Sequence, residues 1–466
     1  MSRPQQAFRS PRGWEQAGPH TLDGGERTVP LAEAERRAYQ ALTHLGLSAH
    51  LTDLGAGGDP TAWMCELRHT GGHPAAPAAR VGGKGDGEAA RGCGKGDGTA
   101  ARGCGKGDGE AARVGALYEA LEHHLTGPAR FDPAHVHLIR AADLLAGPVA
   151  GEAAATVLAG LGDTPVACHA YRPLRPAPGG AETLMVPLAL SAPHYVDDPA
   201  LRHAAGDGCD YAGLARYSCN SGSAIGVGRA EALVHALNES IERDAFSLLL
   251  ARAFLAPPRR HRLAVVDPAT LPASLAAAHA RAEEVLAARV HLLDITTDLG
   301  VPAYLAYSPP TAERDHRRGA GASLFAPYAA WRALAELVQS ALATAAHAGP
   351  VPRVDLRGLA PHPALYACGH FDLTPHLAHA RQAPPLPAEG PAPDGPATHL
   401  DHLTRLLTAT GHRPYHRIAA ELPGDIVAVH TYVPGLERFM LITQGNLILP
   451  GARARAAAAC GSPQDG

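Results

Sequence analysis

Apolar residues recur three and four positions apart along several stretches of the chain, which is the spacing of an amphipathic helix. In PLAEAERRAYQALTHLGL, residues 30–47, they fall at Leu31, Ala34, Ala38, Leu42 and Leu45 and predict a helix. RAEALVHALNESIERDAFSLLLARAF, residues 229–254, carries the clearest stripe, from Leu233 through Leu237 and Ile241 to Leu248. Helices are also predicted for ARVGALYEALEHHL, SLAAAHARAEEVLAA and PYAAWRALAELVQSALATAA. AWMCELRH and TLMVPLALSAPHYV read as strands, and AHVHLIRAADLLAGP as a short helix or a strand–helix piece. VHLLDITTDLGVPAYLAYSP reads as two strands around a DLG turn, and DIVAVHTYVPGLERFMLIT as strand and turn. Helices and hairpins interleave, so the fold class is α+β or α/β.

Composition narrows the class of protein. A chain of 466 residues predicts two to three domains, or one large unit with extensions. Apolar residues make up 46% and charged residues 18%, a composition that folds. A net charge of −4 gives no basic surplus for nucleic acid. No apolar run approaches the roughly twenty residues of a membrane span, and MSRPQQAFRSPRGWEQ lacks the apolar centre of a signal peptide. The eight cysteines form no CxxC pair, so a zinc ribbon has no support and a reduced, cytoplasmic protein is expected.

GGKGDGEAARGCGKGDGTAARGCGKGDGEAARVGALYEALEHH, residues 82–124, writes one short unit three times, with lysines at Lys84, Lys95 and Lys106. Of 41 basic residues these three are the only lysines. One reading is that a compact ammonium between glycines is needed there, as in phosphate-binding loops. The other is that a chance lysine was copied with its repeat. The unit is no Walker A loop, because Gly107 follows Lys106 where Ser or Thr should stand.

Three predicted helices carry acids in unusual positions. EALEHH has Glu119 and Glu122, ESIERD has Glu239 and Glu242 followed by Arg243, and ALAELVQS sets Glu336 among apolar neighbours. Anions three apart share a helix face and repel each other. Mg²⁺ takes carboxylate oxygens and shares them with phosphates, so five acids beside Gly-Lys-Gly fit a nucleotide–Mg²⁺ site. The plainer alternative is a solvated helix face with surface ion pairs. YSCNSGSAIGVGRAE adds Gly222, Gly226 and Gly228 before the helix, a turn whose N–H groups could face an anion.

Here the residues become recognisable. NSGSAIGVGRAEALVHALNESIERDA resembles the YcaO family signature, a Gly-rich loop before an E-x-x-E-R helix. GKGDGEAARVGALYEALEHH is similar to an earlier motif of that family, RALAELVQSALA to its third, and VPGLERF with ILPG to its C-terminal region. The order is kept from about residue 75 to 455. The resemblance implies an α+β fold of helices on antiparallel and mixed sheets around a nucleotide site, with ATP and Mg²⁺ as cofactors. It implies that Lys106 approaches the phosphates and that Arg243 neutralises their charge. Glu119, Glu122, Glu239, Glu242 and Glu336 would hold Mg²⁺ or polar parts of the nucleotide, and Ser221, Glu231 and Arg332 would line its pocket. No catalytic base is assigned.

The implied activity is ATP-dependent activation of a backbone amide in a ribosomally made peptide, foremost cyclodehydration of Cys, Ser or Thr to an azoline. Alternatives are thioamide or amidine formation, or a non-catalytic scaffold that binds peptide or partner. Expected partners are the precursor peptide and a leader-peptide-binding protein, with a homodimer left open. Gly115 stands where the first motif usually has Ser, His123 replaces an Arg, and Val227 occupies a position often polar. Azoline-forming members often end in a Pro-rich tail, whereas this chain ends AAAACGSPQDG. The expected organisation is an N-terminal extension over 1–74, a YcaO-like domain over 75–455 and a disordered tail over 456–466. Within the domain, 82–104 is read as an inserted tandem repeat, which makes Lys106 the working copy, and 383–398 as a Pro/Gly-rich loop.

Overall fold

A computed structural model of the chain describes residues 24–55, 57–70, 99–176, 183–257, 260–312, 314–347, 353–386 and 394–459. The first part runs α1 (Leu31–Leu45), β1 (Leu47–Asp53), β2 (Thr61–His69), β3 (Thr99–Gly107) and α2 (Gly109–Thr126). Next come β4 (His137–Arg140), α3 (Ala141–Leu144), α4 (Ala155–Ala159), β5 (Pro165–Pro173), β6 (Leu184–Pro187), α5 (Leu188–Ser191), α6 (Pro193–Asp197) and α7 (Pro199–Ala204). The middle holds β7 (Ser223–Val227) and α8 (Arg229–Leu250), which runs on into a π-helical turn, Ala251–Leu255. Then follow β8 (Ala264–Val265), α9 (Ala273–Leu286), β9 (His291–Asp294), β10 (Ala303–Ser308), β11 (Arg317–Ala322) and α10 (Ala326–Ala345). The last part holds α11 (Pro363–His370), α12 (Thr374–Leu377), β12 (Arg381–Gln382), α13 (Gly395–Ala409), β13 (Tyr415–Leu422), β14 (Ile426–Tyr432) and α14 (Ala452–Ala459).

The fold is α+β, with three sheets. β1, β2 and β3 form an antiparallel sheet in that order. A second sheet is ordered β11-β10-β9-β8-β12, with only the β8–β12 pair parallel. The third is ordered β4-β5-β13-β14-β7, with β6 attached to β5.

The three acid-bearing helices are built alike. Each follows a strand and packs back onto it: α2 on β3, α8 on β7, α10 on β11. The approach is close enough to dictate sequence. A Cβ at Gly105 would lie 1.9 Å from the Ala112 carbonyl oxygen, and one at Gly319 would lie 2.2 Å from the Leu337 nitrogen. Only glycine lets helix backbone reach strand backbone at these points. The Gly-Lys-Gly run is therefore strand rather than the expected loop, and its first glycine, Gly105, serves packing.

The predicted spacing of α1 is what the core uses. Ala34, Ala38, Ala41 and Leu42 are buried against Leu117 and Leu121 of α2 and Ile225 and Val227 of β7. α8 is buried almost all round, as a helix crossing a core must be. Its Leu237, Ile241 and Phe246 join Leu305 and Ala320 in the largest apolar cluster.

Several expectations are corrected. TLMVPLALSAPHYV is strand only over Leu184–Pro187; beyond it the chain turns into α5 and then α6, where Pro193 occupies the first turn. Of the three glycines expected in one turn, Gly226 lies in strand β7, opposite Val427 of β14, while Gly222 and Gly228 flank that strand with positive φ, Gly228 at the start of α8. Thr99–Cys104, inside the expected insertion 82–104, already runs as β3 opposite β2. Lys84 and Lys95 lie outside the described residues. The boundary expected after residue 74 falls between β2 and β3, two paired strands of one sheet. In the expected loop 383–398, residues 387–393 lie outside the described residues, and α13 has begun by Gly395. The expected disordered tail starts inside α14, with 460–466 outside the described residues. Among the described residues no helix is long and apolar enough to cross a membrane.

Candidate nucleotide site

The strand–helix units put predicted acids from three helices within reach of predicted cations. Lys106 on β3 points across to α10, where it donates to Glu336 in an ion pair. Gln339, one turn further along α10, donates to the Cys104 carbonyl of the same strand and ties helix to strand. Lys106 also acts electrostatically on Glu119 of α2 and on Glu242 of α8. One ammonium is thus ion-paired with Glu336 and within electrostatic reach of a carboxylate from each of the two other helices.

The charges around it are unevenly satisfied. Burial alone would push the Glu336 carboxyl up, but Lys106 and then Arg243 outweigh it and hold it down at about 2. Glu242 goes the other way. Burial and the neighbouring Glu336 raise it, against the pull of Arg243, Arg332 and Lys106. Glu119 and Glu122 are likewise raised, first by burial and, for Glu119, by Glu122 one turn away. His123 lies beside both and is itself raised, the pull of these two acids outweighing its burial; its Nδ1 sits 2.6 Å from the Arg102 carbonyl oxygen. The imidazole stands where the resembling motif has Arg. Ser223 on β7 faces Glu122. Glu239 meets Arg243 at 3.6 Å, one turn along α8.

Not every expected residue joins this group. Glu231 is buried, but its carboxylate accepts from the Thr28 N–H at 2.7 Å and from Arg27 Nη1 at 3.2 Å. Its partners are N-terminal backbone and side chain rather than Lys106 and the other acids. The Ser221 hydroxyl is buried without a hydrogen-bond partner among the described residues. Arg332 reaches Glu242 and Glu336 electrostatically, and its Nη1 donates to the Ala322 carbonyl at 3.4 Å. Sequence reasoning missed Gln339, which shares the Glu336 face at i+3, and Ser223. It also missed Glu26, which lies in a stretch without periodicity.

The donor set bears on what the site could hold. All five acids offer hard oxygen ligands, the kind Mg²⁺ prefers over soft metals. Among the described residues no three His, Cys, Asp or Glu side chains close around one point at metal-binding distance. Glu336 and Glu239 instead stand in ion pairs, with Lys106 and Arg243. Yet Glu119, Glu122 and Glu242 are all raised, which means that the cations present do not offset their burial. A divalent ion with phosphates fits that deficit, the ion for the acids and the phosphates for Lys106, Arg243 and Arg332.

The family model described as YcaO cyclodehydratase, ATP- and Mg²⁺-binding, matches residues 104–437. A curated protein of Rhizobium leguminosarum bv. trifolii, an uncharacterized protein in the tfuA 3′ region, is 32% identical over 131 residues. That match spans 26% of this chain and 30% of the relative, so it covers under a third of the relative's length. YcaO from Methanopyrus kandleri bound with AMPPCP and Mg²⁺ shares the fold with a TM-score of 0.56 at 17% identity, over 91% of this chain and 96% of that one. A heterocyclase in complex with substrate and cofactor superposes with a TM-score of 0.56 at 17% identity, over 90% of this chain but 54% of its own. The E. coli microcin synthetase McbBCD complex includes a chain with a TM-score of 0.50 at 11% identity, over 83% of this chain and 88% of that one.

Proposed function

The chain belongs to the YcaO family, which binds ATP and Mg²⁺, and from that premise we propose that it activates a backbone amide of a ribosomally made peptide, closing Cys, Ser or Thr onto the preceding carbonyl as an azoline. The observation that carries this reading is Lys106 facing Glu119, Glu242 and Glu336, one acid from each of three helices. Bound ATP supplies the phosphoryl group that makes the amide oxygen a leaving group, and Mg²⁺ supplies charge between phosphates and carboxylates.

The chain's own residues position and neutralise. Lys106, Arg243 and Arg332 place three cations toward the phosphates. Glu119, Glu122, Glu239, Glu242 and Glu336 would hold the metal. His123 partly offsets the burial of Glu119 and Glu122. Phosphoryl transfer asks little more of a protein than such placement. The precursor peptide, with a protein that presents its leader, completes the reaction.

Incubating the protein with ATP, Mg²⁺ and a Cys-, Ser- or Thr-containing precursor peptide tests the reading. The expected result is release of inorganic phosphate with a peptide lighter by one water. Phosphate release with no change in peptide mass contradicts it.

A further inference from the structure

Residues 24–28 lie against the helices that build the site, and Gly24, Glu26, Arg27 and Thr28 are each held by a side chain of another element. The Gly24 carbonyl accepts from His399 Nε2 on α13 at 2.8 Å. Arg27 and Thr28 bind Glu231 on α8. Between them Glu26 is fully buried. Its Oε1 accepts from Asn238 Nδ2 on α8 at 3.1 Å and from the Ser323 hydroxyl just before α10. Its Oε2 has no hydrogen-bond partner among the described residues and lies 4.0 Å from both Arg332 Nη1 and His235 Nδ1.

A fully buried carboxylate is costly unless a cation stands near. Burial raises the Glu26 carboxyl above its ordinary value, and Arg332 is the first of the groups that pull it back down, ahead of Ser323, His399 and Arg27; burial likewise holds His235 well below its ordinary value. Arg332 is also within electrostatic reach of Glu242 and Glu336. Arg332 thus meets Glu26 at 4.0 Å and acts electrostatically on two of the proposed metal carboxylates as well.

We infer that Glu26 is a positioning residue of the nucleotide site, holding Arg332 back from Glu242 and Glu336 so that those carboxylates are left for the metal and the guanidinium for phosphate. This rests on the functional reading above. The separation of 4.0 Å leaves Arg332 attracted without a closed hydrogen bond to Glu26, so its donors remain usable. Without the Glu26 charge, Arg332 is drawn onto Glu242 and Glu336 and competes with the metal.

The test is a double-mutant cycle on binding of Mg²⁺ with a non-hydrolysable ATP analogue, read by calorimetry. Glu26→Gln keeps the Oε1 acceptor for Asn238 and Ser323 and removes the charge. It is expected to weaken binding about tenfold in the native background and less than about twofold in an Arg332→Gln background, the signature of action through Arg332. More Mg²⁺ is needed for half-saturation of Glu26→Gln at fixed nucleotide. Equal weakening in both backgrounds, or none in either, overturns the assignment. If Glu26→Gln fails to fold, Glu26→Asp goes through the same cycle with the same outcomes, since it withdraws the charge from Arg332 by one methylene. Lys106→Ala in the same assay separates the two claims. Native binding by Lys106→Ala removes the nucleotide site and this inference with it, whereas loss by Lys106→Ala alone removes only the role of Glu26.

Discussion

Lys106 on β3 is ion-paired with Glu336 on α10, 230 positions further along the chain. The pair joins the last copy of the repeat to the third acid-bearing helix. Lys106→Ala is expected to lower nucleotide turnover by about a hundredfold or more, the scale seen when one preorganised charge is taken from a developing anion. Lys84→Ala is expected to leave turnover unchanged. Phosphate-release assays on both variants check this, and equal loss from both contradicts it.

The packing of α2 on β3 sets a second expectation. Gly105→Ala places a Cβ 1.9 Å from the Ala112 carbonyl oxygen, which only movement of the helix relieves. A loss of about 3 kcal/mol in denaturant unfolding is expected. Gly115 differs. A Cβ there meets Gly105 Cα at 3.5 Å, an ordinary contact. Gly115→Ser, which restores the residue usual in the resembling motif, is expected to stabilise by about 0.5 kcal/mol by removing a helix-interior glycine.

Which parts were legible in the sequence follows from how local their causes are. α1 and α8 were readable because Leu31, Ala34, Ala38 and Leu42, or Leu233, Leu237 and Ile241, repeat the helical period within a few turns. The acid pairs were readable for the same reason, since i, i+3 spacing fixes a shared face. The Gly-Lys-Gly strand was not. Its glycines look like a loop in isolation, and the demand for them comes from α2, a different element. α13 was missed because its start lies in a run of Pro and Gly that hides the Leu403 and Leu407 pair. Glu26 carries no periodic signal. Its role depends on Arg332, Asn238 and Ser323, hundreds of positions away, which only the folded chain brings near.

The two kinds of carboxyl predict a pH dependence. Glu336 is held down at about 2, so its contribution is present above the unfolded value of 4.5 and is lost as pH falls from there toward 2. Glu119, Glu122 and Glu242 are raised, so each favours the fold while protonated and opposes it as pH rises through its folded value. Mg²⁺ bound with nucleotide relieves that opposition. The rise in melting temperature on adding both is therefore expected to be larger at about pH 8 than at about pH 5, where protons compete for the same oxygens. A rise that is equal at both values contradicts the assignment of these acids to the metal.

Beyond the site, Arg453 on α14 closes on Asp244, a buried carboxylate adjacent to Arg243 on α8, and on Asp298. Glu437 accepts the N–H groups of Gly451 and Ala454 and so fixes the start of α14. Arg453→Ala leaves Asp244 buried without this partner and is expected to cost about 3–5 kcal/mol. Chemical denaturation checks it, and a loss below about 1 kcal/mol, the range of an exposed pair, contradicts it.

The central claim is that acids from three helices share one metal-bridged triphosphate with Lys106. A crystal structure with a non-hydrolysable ATP analogue and Mg²⁺ tests it most directly. The account predicts Mg²⁺ at about 2.0–2.1 Å from oxygens of at least two of Glu119, Glu122, Glu239, Glu242 and Glu336, with the Lys106 ammonium turned from Glu336 to a phosphate. Nucleotide bound elsewhere, with Lys106 still paired to Glu336, would contradict it.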